Sequence, residues 1–160
     1  MSIMADIAAT YRGPVAVLRR RLAGAGEDKA LAVLMAGCVL LFIAQWPRLS
    51  REAYLTGGEV QVMIAGALLA LVFILPLILY ALAALSHLVS RVAGGKGTPF
   101  KARMALFWAL LAASPVLLLD GLTRGFIGPG VQAQITGAVA LAAFLWFWIS
   151  GLIAVERGRV

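Results

Sequence analysis

Four long intervals without a formal charge dominate this chain of 160 residues. They run for 18 residues between Lys29 and Arg48, 31 between Glu59 and Arg91, 16 between Arg103 and Asp120, and 31 between Arg124 and Glu156. A helix rises about 1.5 Å per residue, so about 17 to 25 apolar residues cross the roughly 30 Å of bilayer hydrocarbon. The intervals therefore predict four transmembrane helices, over about 29–47, 60–90, 101–120 and 131–155. The third is short, but Phe100, Lys101 and Arg103 can extend it, the long basic side chains snorkelling to the headgroups. The second and fourth exceed an untilted crossing and call for tilt, a kink, or ends that leave the bilayer. Hydrophobic residues make up 62% and charged residues 13%, against about 45–50% and about 25% in a soluble domain. No water-soluble domain is expected. The fold class read from this is all-α: a polytopic membrane protein whose four helices form a bundle, preceded by a short amphipathic interfacial helix.

The distribution of basic residues sets an orientation. Eleven of the 14 flank one side, in the segment before the first span, in the loop after the second and in the tail. Only Arg48, Arg51 and Arg124 lie on the other. Because Lys and Arg are retained on the cytoplasmic side, both termini are expected there. Residues 1–28 then form a cytoplasmic N-terminal segment, 29–155 the transmembrane domain and 156–160 a cytoplasmic tail. Gly13-Pro14 can start a short helix with Val15, Leu18 and Leu22 on one face, suited to lie on an anionic leaflet. Gly24 and Gly26 end it, and Glu27 and Asp28 suit the start of the next helix, where the dipole favours negative charge. Candidate lipid-headgroup contacts are Arg19, Arg20, Arg21, Arg91, Lys96, Lys101 and Arg103. Trp46-Pro47 is expected to end the first span, and Phe107, Trp108, Trp146, Phe147 and Trp148 to anchor helices near headgroups. The basic residues match membrane topology, so no nucleic-acid partner is expected.

Chemistry-bearing motifs are few. A single cysteine, Cys38, excludes an intrachain disulfide and a cysteine metal cluster. "LMAGC" at 34–38 resembles a lipoprotein box, but the apolar run continues past the cysteine to Trp46, as a spanning helix does. "GGKGT" at 94–98 lacks the order of a phosphate loop, because Gly97 separates Lys96 from Thr98; it reads as a flexible turn. The seven acids are scattered over loops and termini and form no paired carboxylates, so neither catalysis nor a metal or other cofactor is expected. Small residues recur every four positions at Ala105, Ala109 and Ala113, with shorter pairs at Ala32 and Ala36, Gly66 and Ala70, and Ala138 and Ala142. Such stripes let helix backbones approach in a bilayer and are the candidate packing faces. Pro76 falls near the middle of the second span and removes a backbone donor there, which can bend the helix. Tyr80 and His87 are the candidate polar contacts of that span. His87, the only histidine, lies one turn from Arg91 with no carboxylate near it in sequence. It is expected to be an interfacial residue solvated by headgroup water.

The runs "EDKALAVLMAGCVLLFIAQWPRLSREA", "FILPLILYALAALSHLV", "RMALFWALLAASPVLLLDGL", "GFIGPG" and "LAAFLWFWISGL" cover most of residues 27–153. As an ordered set they resemble the YIP (Ypt-interacting protein) family, in its short alphaproteobacterial form. Usage rich in Ala, Leu and Arg also suits a high-GC bacterium. The resemblance implies a multi-pass inner-membrane protein with a cytoplasmic N-terminus and no assigned catalysis. Eukaryotic members carry five spans and an N-terminal Asp-Leu-Tyr-Gly-Pro signature; this chain has four expected spans and only "YRGP" at 11–14, so their GTPase partnership is not carried over.

The function expected from these readings is non-enzymatic: a scaffold or accessory subunit acting through helix packing and a basic cytoplasmic face. Its partners would be anionic headgroups, and a membrane protein or a second copy of the chain. The alternative is a small transporter or channel with Pro76, Tyr80 and His87 along its path.

Overall fold

The computed structural model describes residues 2–160, and these form an all-helical bundle. Ser2 caps the first helix, α1 (Ile3–Thr10), its hydroxyl accepting from the Ala5 amide at 3.2 Å, which satisfies one of the donors a helix start leaves open. α2 (Pro14–Leu22) begins on a proline, as the sequence suggested, because a first-turn residue needs no amide hydrogen and its φ is already helical. α3 (Glu27–Thr56), α4 (Val60–Val92), α5 (Pro99–Phe126) and α6 (Val131–Glu156) are the four helices long and apolar enough to cross a membrane. They mark an integral, multi-pass membrane protein.

α3 does not stop at Pro47. It continues to Thr56 and ends at Gly57, whose φ of 68° supplies the left-handed residue a helix terminus favours. Beyond the proline the turns are polar, with Arg48 Nη1 donating to Glu52 Oε2 at 3.0 Å one turn on. Pro47 itself rests where Gly125 of α5 has no side chain. Hydropathy marks where lipid ends; here the helix outlasts it.

α4 contains 33 residues, about 50 Å at about 1.5 Å per residue, and carries a π-helical turn at Leu69–Ile74 just before Pro76. The proline ring cannot share the normal i−4 carbonyl, and widening the turn relieves the clash. Within Val60–Leu68 and within the π turn no residue is buried. After Pro76 the helix turns one stripe inward: Pro76, Leu79, Ala83 and His87, spaced by three or four, are its buried residues.

α5 is the centre of the molecule. Every residue from Met104 to Ser114 is buried, around the full circumference of three turns, which is the pattern of a helix enclosed by others. Ala105, Ala109 and Ala113 all lie in this enclosed stretch. The three shorter pairs fall elsewhere: Ala32 and Ala36 on α3, Gly66 and Ala70 on α4, and Ala138 and Ala142 on α6 are all exposed. Closest approach between α3 and α5 uses three glycines instead. A methyl group built on Gly121 would fall on the Ala44 carbonyl oxygen, one on Gly125 would strike Pro47, and one on Gly37 would come within 3.1 Å of Leu110. Gly121 and Gly125 form a GxxxG pair, a spacing that brings helix backbones together.

The aromatic residues divide differently from the expected belt. Phe107, Trp108 and Phe147 are core residues, whereas Trp46 and Trp146 remain about half exposed. Tyr80 meets Phe107 edge-on with ring centroids 5.0 Å apart, and Tyr11 meets Phe147 in the same way at 5.0 Å. Rings expected at the headgroups instead fill the space around α5.

Candidate functional site

The basic end of the bundle, where both termini and the 93–98 loop meet, gathers the buried ionisable groups. Its first cluster is centred on Glu156, the last residue of α6. The carboxylate accepts from His87 through Oε1, with Nδ1 at 2.9 Å, and from the Gly97 amide through Oε2 at 3.0 Å. The Glu156 carbonyl accepts from the Lys96 amide at 2.9 Å. Both side chains of the pair are 8% exposed. The loop can close this tightly because Gly95 and Gly97 have no side chains: a methyl on Gly97 would sit 2.9 Å from the Glu156 carboxyl carbon and 2.7 Å from Val155, and one on Gly95 would fall on Oε2. Gly94, with φ of 89°, makes the turn that starts the loop.

This corrects the expectation for His87. It is not solvated by headgroup water but buried, and the carboxylate that orients it comes from 69 positions further along the chain. Its Nε2 is enclosed without a hydrogen-bond partner. Ser86, its neighbour, donates back to the Ala83 carbonyl at 2.9 Å. The geometry is that of a clasp joining the ends of α4 and α6 to the loop between α4 and α5.

The second cluster holds the N-terminal segment. Asp6, 3% exposed, is paired with both Arg20 and Arg21, tying α1 to α2. The Arg21 guanidinium lies 4.9 Å from the centre of the Trp108 ring, within cation–π range. Trp108 Nε1 donates to Thr10 Oγ1 at 3.1 Å, and Thr10 donates to the Asp6 carbonyl at 2.7 Å. The Tyr11 hydroxyl donates to the Ala112 carbonyl at 3.0 Å, and burial pushes this phenol above its ordinary pKa. α2 presses Val17 and Leu18 into the bundle, and of its expected apolar face Leu18 is buried while Val15 and Leu22 are half-buried.

The other basic residues are dispersed over the same end. Arg19, Arg91 and Lys96 are exposed, Lys101 Nζ donates to the Val160 carbonyl at 2.8 Å, and Arg103 pairs with Glu27 while lying 5.9 Å from the Tyr80 ring centre. At the opposite end, Asp120 accepts from Arg124 Nε and Thr136 Oγ1, both at 2.8 Å, joining α5 to α6. No group of three or more His, Cys, Asp or Glu suited to a metal ion occurs among the described residues.

Sequence reasoning missed Asp6, Glu156, Gly121 and Gly125. The glycine pair was readable from its spacing of four. Asp6 and Glu156 gave only faint signals: an acid among small apolar residues with Thr10 one turn on, and an acid that reads as the boundary of the last apolar interval. Comparison of the chain with protein-family models, with curated proteins and with solved structures gives no match.

Proposed function

We propose that this chain is a YIP-type protein of a bacterial inner membrane, with both termini cytoplasmic, that acts without catalysis as a scaffold or accessory subunit. The observation that carries the reading is the contrast between α5 and its neighbours. The centre of the bundle is filled by apolar side chains, and its buried ionisable groups are held at one end in pairs. Small-residue stripes on α4 and α6 face outward, where another helix could approach as closely as α3 approaches α5. A second copy of the chain, or a different membrane protein, would fit such a face.

The experiment is quantitative co-purification from native membrane in mild detergent, with photo-crosslinkers placed at Gly66 and Ala138. A specific crosslinked partner or dimer is expected; a lone monomer with no crosslink at either position would overturn the reading. Reporter fusions at residue 96 and at both ends should all report the cytoplasm, and an external signal from any would reverse the orientation.

The π turn beside Pro76 favours one rival, a small transporter, because such turns often accompany functional sites. Flux through proteoliposomes that fell in Pro76→Ala or His87→Ala would support it over the scaffold.

A further inference from the structure

Between α1, α2, α3 and α5 lies a cavity of about 380 Å³, within the roughly 300–1,000 Å³ usual for small-ligand sites. Its lining includes the cations Arg20, Arg21 and Lys29 and the apolar Ala32, Val33 and Met104. Asp6 is the acid of the cavity and pairs with Arg20 and Arg21; with Lys29 the lining holds three cations against one carboxylate, so two positive charges are left over.

Neighbouring acids do not supply the difference. Glu27 is paired with Arg103, and the Asp28 carboxylate lies over Gly26 at the helix start. Lys29 spends one donor on the Gly24 carbonyl at 2.7 Å and has two more, and each guanidinium has five.

We propose that this cavity binds one anionic phospholipid, its phosphate held among Arg20, Arg21 and Lys29 and an acyl chain lying on Ala32 and Val33. Depth supports a lipid over a free phosphate. Lys29 is the third residue of α3, and Ala32 and Val33 lie about one turn, or about 5 Å, further along. Cations at the rim and apolar walls just below match the order of groups in a phospholipid at the edge of a bilayer. Asp6 fits as a positioning residue that holds the two guanidinium groups at the rim. The inference rests on the membrane reading of the four helices and is independent of any protein partner.

The test uses the full chain in detergent micelles with equal phosphatidylglycerol and phosphatidylcholine, bound lipid being counted by native mass spectrometry. One retained phosphatidylglycerol is expected, and Lys29→Gln should lower its occupancy about tenfold, as loss of one charge-assisted contact does. Val33→Trp, which keeps every charge and fills the apolar part of the cavity, should lower it as well, while Arg159→Gln in the tail should not. Equal retention of both lipids by the natural chain would overturn the proposal whatever the variants do. Displacement by inorganic phosphate as effective as by short-chain phosphatidylglycerol would overturn the lipid assignment in favour of a phosphate site.

Discussion

Glu156→Ala is expected to cost about 3 kcal/mol of stability, since removing one partner of a buried pair strands the other. The loss should be read as a lower thermal midpoint in detergent and as faster trypsin cleavage after Lys96, because the next residue, Gly97, loses the carboxylate that holds its amide. His87→Ala should cost less, because the Gly97 amide still serves the carboxylate. Glu156→Gln should cost least, about 1 kcal/mol, since the amide keeps the shape, accepts from Gly97 and can donate to His87 Nδ1 once the imidazole carries its proton on Nε2. Equal, small effects for all three would mean that the clasp does not hold the loop.

Gly121→Val should be at least as damaging, at about 3 kcal/mol, because the new side chain meets a backbone carbonyl that cannot rotate away. The control is Gly66→Ala on the outer face of α4, where nothing lies within 4 Å of the added methyl. That change should be neutral or stabilising by up to about 1 kcal/mol, the helix-propensity difference. Thermal unfolding of both variants in the same detergent separates the two faces. If Gly121→Val unfolded at the natural temperature, α3 and α5 would not be in contact at Ala44.

How much of this was readable from sequence depends on which physical quantity each residue reports. Charge-free intervals report contact with lipid, and they located all four spanning helices. They do not report helix ends, so α3 runs past Pro47 to Thr56 and α1 appears where no helix was expected. Small residues report that a backbone can be approached, not what approaches it. The same spacing is therefore enclosed at Ala105, Ala109 and Ala113 and outward at Gly66 and Ala138. Trp108 looked like an anchor because of its position near a span end; the N-terminal helices that bury it were invisible to a reading of single spans. His87 and Glu156 lie 69 residues apart, and only the return of α6 to the starting end of the bundle brings them together.

The enclosure of α5 also bears on how the chain is made. Its mean hydropathy over the best window is 1.9, beside 2.0 for α3, 2.2 for α6 and 2.9 for α4. The two least apolar spans, α3 and α5, are the pair that pack on each other through glycine, and α5 is the one that neighbours surround most completely. Synthesis runs from the N-terminus, so α5 leaves the ribosome with α3 and α4 already in the membrane and α6 still to come. The glycine faces at Gly37, Gly121 and Gly125 give it a companion at once, before its other side is covered. Crosslinks between Ala44 and Gly121 in ribosome-stalled chains that lack α6 should already form, and their absence would place the docking of α5 after the last helix. With that early contact, α3 serves the growing chain as an internal chaperone for its own central helix.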